Sequence, residues 1–301
     1  MPSKISSILH NRAVPPILFL IALPLVFFWR ITLGQGVWFT TDIARLFYPF
    51  AVELTRALNQ GRLPLWSPGM LAGFPLLAEG QVGALYPPNW LLDRLLPTAT
   101  ALSFGMILHL AWAGCGMYAW TRAQGLRASS ALLAGFVVAF NGTVFGQLTH
   151  PPVLEAMSWL PWLLFLQNRF ARAAERPSAR AGIWFFLTAL ALGMQFLCGS
   201  IQIAFLNTLA LVVIVLASEW FAGRTAPRLS TTRRVGRTVI QVALVTLLGA
   251  GIAAAQLVPT AELVDLSTRR GGTSADFALS YSLPLDFLSQ FVFPFAPGDP
   301  A

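Results

Sequence analysis

Apolar runs long enough to cross a bilayer alternate along this chain with short basic turns and one long, heavily punctuated stretch. At about 1.5 Å of rise per residue, about 20 apolar residues in a helix span a hydrocarbon core of about 30 Å. By that measure the pattern predicts an all-α integral membrane protein of about seven transmembrane helices, near 14–33, 99–120, 129–148, 153–167, 181–198, 201–221 and 238–258. The first is expected to bend at Pro24 and the last to end at Pro259. A charged start before an apolar run also describes a signal peptide, but no small-x-small cleavage site follows and further spans come later. The segment is therefore read as a retained first helix, and residues 1–301 as one transmembrane module.

Residues 34–98 break the pattern. From Ile43 the apolar positions Ile43, Leu46, Phe47, Phe50, Leu54, Ala57 and Leu58 recur at the spacing of one helical face, while Asp42, Arg45, Glu53 and Arg56 fall off it. Such a helix is expected to lie in the membrane interface with its aromatic side toward lipid, cut in two at Pro49. Gly61, Pro64, Pro68, Gly73, Pro75, Pro87 and Pro88 then punctuate the chain too densely for a long helix. A structured loop of this length is usually functional. A tail at 259–301 is polar first, then aromatic and Pro-rich.

Charge orients the pattern. Of the residues 56% are hydrophobic and only 11% charged, less than half the share in an ordinary soluble domain. With the N-terminus inside, the inner segments hold 13 of the 20 basic residues and, of the 12 acids, only Glu175 and Glu219. That is the bias expected of cytoplasmic loops. The net charge of +8 is thus a topology signal, and no nucleic-acid partner is implied. The loop and the tail both fall on the outer side.

Several polar residues on that side are candidates for chemistry. Asp42 has two open readings: a cap for the loop helix, together with Thr40 or Thr41, or a general base toward a hydroxyl. His150, before Pro151 and Pro152, is either a structural hydrogen-bond donor or a contact for phosphate, with Glu155 as its partner or as a helix-start acid. Arg269 and Arg270 depart from the charge rule; they suit a phosphate, or ion pairs with Glu262 and Asp265. Cys115 and Cys198 lie in apolar runs and read as packing residues. Asn141-Gly142-Thr143 matches a glycosylation sequon but lies inside a span. No P-loop, dinucleotide fingerprint, Cys/His cluster or HExxH occurs, and no second acid near Asp42 makes a metal necessary.

The segments TTDIARLFYPF (40–50), GRLPLWSPGMLAGFPLLAEGQVGALYPPN (61–89) and AAAQLVPTAELVDLSTR (253–269) resemble the YfhO family of bacterial membrane proteins and, more broadly, the C-type (GT-C) membrane glycosyltransferases. The resemblance implies inverting transfer of a sugar from a polyprenyl-phosphate donor to a cell-envelope acceptor on the outer face of the cytoplasmic membrane. The acid of the first outer loop would sit at the active site, a role that maps to Asp42. Members are usually longer, so a chain ending near Phe295 to Asp299 is expected to be a fragment or a truncated product.

The resulting expectation is a lipid-linked sugar transferase in which Asp42 activates the acceptor and Arg269 or Arg270, with His150, holds the donor phosphate. A transporter or flippase is the rival, with His109 the clearest ionisable group inside a span. A non-catalytic assembly subunit is the third reading.

Overall fold

The computed structural model describes residues 14–175, 179–225, 231–280, 282 and 284–293. Lys4, Arg12, Arg176, Arg228 and the closing 295–299 fall outside them. The regular structure of the described residues is all helical, with one isolated antiparallel bridge between Ser67 and Phe74 and no strand among them.

Five helical stretches are long and apolar enough to cross a membrane: 98–123, 128–146, 179–197, 201–221 and 232–252, the second with a break at Phe140 and Asn141. This is the pattern of a multi-pass membrane protein. The other two expected spans are interrupted. The first is a helix of 14 residues, α1 (Val14–Phe27), that ends at Phe28 and continues only as the short α2 (Trp29–Thr32). At about 21 Å, α1 is shorter than a hydrocarbon core. The fourth breaks at Trp159 into Pro151–Ser158 and Leu160–Ala173. Pro259 does not end the seventh; the chain breaks at Ala253 and Pro259 sits inside the next helix, Ala254–Asp265.

In order, the remaining helices are α3 (Tyr48–Asn59), α4 (Leu76–Glu79), α5 (Pro87–Leu95), α6 (Thr98–Ala123), α7 (Ala128–Ala139), α8 (Gly142–Gly146), α9 (Pro151–Ser158), α10 (Leu160–Ala173), α11 (Ala179–Leu197), α12 (Ile201–Thr225), α13 (Thr231–Ile252) and α14 (Ala254–Asp265). Asn141 caps α8, accepting from the Val144 amide at 3.0 Å, so the sequon asparagine has a structural task. Small residues let the helices approach. A Cβ on Gly135 of α7 would meet the Gly114 carbonyl of α6 at 2.7 Å, and one on Gly193 of α11 would meet Ile252 at 2.9 Å.

The chain divides into two compact units, residues 1–260 and 261–301. The second contains the end of α14, a short helix Ala275–Leu279 capped by Ser274, and a 3-10 turn at Leu285–Phe291.

Within the first unit the long loop folds on a core of its own. Phe50, Leu54, Leu58, Leu76, Leu77, Val82 and Ala84 pack together, with Phe50 stacked on Phe74. The periodic face anticipated from Ile43 to Leu58 is present, but it faces protein rather than lipid. Ile43 and Phe47 pack with Met106, Leu110, Val144, Leu148 and Leu154 of the bundle. Of that face only Leu46 stays exposed, because Ile43–Phe47 is a π-helical turn that shifts the register before Pro49 starts α3. The loop's exposed apolar residues include Leu63, Leu65, Trp66 and Leu71 at its tip and Phe39, Leu91 and Leu95 near its two ends.

Polar bonds fasten this loop to one end of the bundle. Trp38 donates its amide to Ser103 at 3.0 Å, and Gln256 donates to the Leu77 carbonyl at 2.7 Å. A buried relay runs from Trp159 Nε1 to the Tyr86 hydroxyl (3.0 Å) and from there to His109 Nε2 (2.8 Å). His109 Nδ1 lies 2.7 Å from the Gly105 carbonyl, which can only accept. His109 therefore carries its proton on Nδ1 and receives the Tyr86 proton at Nε2. The ionisable group inside a span that most favoured a transporter is thus a fully bonded anchor.

Candidate functional site

Asp42 stands where the chain enters its π-helical turn and makes no capping bond. Its Oδ2 lies 3.0 Å from Nε2 of His150. Sequence spacing had offered Glu155 as the partner of His150, and a cap as the alternative task for Asp42; the fold instead joins the two residues from distant segments. The reason is local. Pro151 and Pro152 open α9 and hold His150 just outside it, while Ile43 and Phe47 dock beside Leu148 and Leu154. Phe47 also meets the His150 ring edge-on, at 6.2 Å between centroids.

The other imidazole nitrogen is also engaged: His150 Nδ1 lies 2.8 Å from the Thr149 hydroxyl. With Nε2–H donating to Asp42, Nδ1 accepts from Thr149. The imidazole has no nitrogen left over, whereas the second carboxylate oxygen of Asp42 has no partner among the described residues. Both side chains are accessible, 51% for Asp42 and 39% for His150. The open basic atom of the pair is therefore on Asp42.

Beside this pair, and sharing Phe47 and Pro151 with it, is a cavity of about 30 Å³, room for one or two water molecules. Asp93 of α5, Asn89 and Glu155 of α9 line it. Glu155 is buried, only 6% exposed, and its carboxylate has neither hydrogen bond nor ion pair among the described residues. Burial pushes the Asp93 carboxyl up to about 6, against the opposing pull of its hydrogen bond with Thr55. Sequence reading passed over Asp93. The signal available was an acid inside the apolar run NWLLDRLL, four residues after Asn89.

Glu262, Asp265, Arg269 and Arg270 belong to the second unit, and all four are exposed. The ion pairs anticipated among them are absent among the described residues. Nor do three His, Cys, Asp or Glu side chains gather into a metal-holding group among those residues. No family model matches the chain, and neither a curated protein nor a solved structure does.

The arrangement can accept a proton. A carboxylate with one oxygen fixed by an imidazole N–H and the other open is a positioned base. The adjacent cavity brings two further carboxyl groups, and nothing positive lines it to neutralise them.

Proposed function

We propose that this protein is a membrane glycosyltransferase that moves a sugar from a polyprenyl-phosphate donor to an acceptor hydroxyl, with Asp42 as the base. The observation that carries the reading is the pair of Asp42 and His150 at 3.0 Å with an open carboxylate oxygen. The resemblance of 40–50, 61–89 and 253–269 to the YfhO and GT-C families supplies the substrate class.

In this reaction the acceptor oxygen attacks the anomeric carbon as the bond from that carbon to the donor phosphate breaks. The acceptor proton passes to Asp42, and polyprenyl phosphate leaves with inversion at the sugar. His150 orients Asp42 through Nε2–H rather than holding the phosphate. Arg269 and Arg270, exposed and without acid partners among the described residues, have the chemistry for the developing phosphate charge. In this reading the N-terminus is inside and the loop outside a bacterial cytoplasmic membrane, a topology that the bias of basic residues in the sequence supports.

The test uses membranes carrying the full chain and labelled polyprenyl-phosphate hexoses. Asp42→Asn is expected to lower label transfer about 100-fold or more at equal expression, the contribution typical of general base catalysis. Undiminished transfer by this variant would remove the base assignment.

A further inference from the structure

At the end of the bundle away from the loop, the arginines do not all do the same thing. Arg234 is ion-paired with Glu219 at 3.0 Å, and Arg237 donates to the Ala171 carbonyl at 3.2 Å. Three others converge. Arg169, Arg172 and Arg180 line one open groove of about 720 Å³ together with Glu175 and Trp184. A residue that serves only to orient the chain in the membrane needs a charge and no such convergence.

We propose that this groove binds the phosphate of an anionic phospholipid headgroup. The Arg169 guanidinium lies over the Trp184 ring, 5.0 Å from its centroid. Stacking of that kind engages the flat face and leaves the N–H edge for an anion. Arg172 gives one nitrogen to the Ala123 carbonyl at 2.9 Å and to Gln124 at 3.4 Å, and keeps its others. Arg180 is exposed. None of the three forms an ion pair among the described residues, and Glu175 offsets only one of them. Three guanidiniums around one groove, each with donors to spare, match the bidentate demands of a phosphate.

Depth favours a lipid over a free ion. The apolar stretch 179–197 begins at the groove, which puts the guanidiniums at the boundary between hydrocarbon and water. Trp184 suits that level as well. The groove lies far from Asp42 and His150 along every helix that joins the two ends, so this binding stands or falls apart from the sugar-transfer reading.

The experiment is thermal melting of the full chain in neutral detergent with short-chain phosphatidylglycerol, short-chain phosphatidylcholine, or inorganic phosphate. Phosphatidylglycerol at saturation is expected to raise Tm by about 4 °C, and the other two by less than about 1 °C. In the double variant Arg169→Lys/Arg180→Lys, which keeps the charge and loses the forked donors, the phosphatidylglycerol shift is expected to fall by about half or more. Arg234→Lys, at the ion-paired position, is expected to leave it unchanged. Equal shifts from the two lipids would overturn the proposal. So would an equal shift from inorganic phosphate, which would make the groove a free-anion site, or an undiminished shift in the double variant.

Discussion

At the loop end of the bundle, polar side chains meet one another across long sequence separations: Asp42 with His150, Tyr86 with His109 and Trp159, Asp93 with Glu155 around one cavity. At the opposite end the arginines turn to backbone carbonyls, to an indole and, in one case, to a half-buried acid. The first kind of contact fixes geometry, because each partner has few ways to satisfy its lone pairs and protons. The second mainly places charge near a membrane surface, where screening by water keeps each pair weak. One end therefore holds its polar groups in fixed pairs, and the other leaves most of its guanidiniums without an acid partner among the described residues.

Substitutions should separate the two ends by the size of their effects. The largest belongs to Asp42→Asn, the loss of about 100-fold or more in transfer described above, with melting behaviour close to that of the parent. Next comes Tyr86→Phe. Removing the hydroxyl leaves the Trp159 N–H and His109 Nε2 without partners, at a cost of about 1–3 kcal/mol. Hydrogen exchange should show it as earlier opening of the 76–95 segment, and exchange equal to the parent would mean that the relay does not hold the loop.

Asp93→Asn should act through pH. The folded pKa of about 6 exceeds the ordinary value of 3.8, so the native state binds the extra proton. The stability this adds is complete below about pH 4 and is lost as pH rises through about 6. The asparagine variant should therefore flatten the melting profile between those limits and be more stable than the parent at pH 8, by roughly 1 kcal/mol after allowance for partial exposure. A parent whose stability rises over that interval by the same amount as the variant's would contradict the burial argument.

The smallest effects are expected at the far end. Arg234→Gln, which breaks the ion pair with Glu219, should shift stability by no more than about 1 kcal/mol. In contrast, Gln167 is fully buried in α10 and neither of its amide atoms finds a partner among the described residues. Gln167→Met should be neutral or stabilising by about 1 kcal/mol, since it removes an unsatisfied amide at similar volume. Marked destabilisation by this change would point to a partner that the fold has not revealed.

The helical face from Ile43 to Leu58 was legible because period alone displays it. What covers it was not, since lipid and protein interiors select the same residues; only the packing of Ile43 and Phe47 against Met106 and Leu154 decides. The break at Phe28 also escaped the pattern, for no Gly or Pro stands there, whereas the break at Trp159 had a signal in Pro161, which lies in the first turn of α10. Asp42 stood out as an acid at the edge of an apolar run, but its partner did not. The pairing with His150 depends on how two prolines set the start of α9, a tertiary outcome with no local signature. Asp93 was overlooked because one acid on a short amphipathic helix resembles any solvated side chain until Glu155 is brought opposite.

The central claim is that Asp42 and His150 act as one unit, with the carboxylate as base and the imidazole as its positioner. A double-mutant cycle on label transfer, using Asp42→Asn, His150→Gln and the two together, tests it most directly. The account predicts that the double variant transfers no more slowly than Asp42→Asn alone, because a positioner has nothing to orient once the base is gone. Losses that multiply would contradict it, for they would mean that the two residues contribute independently.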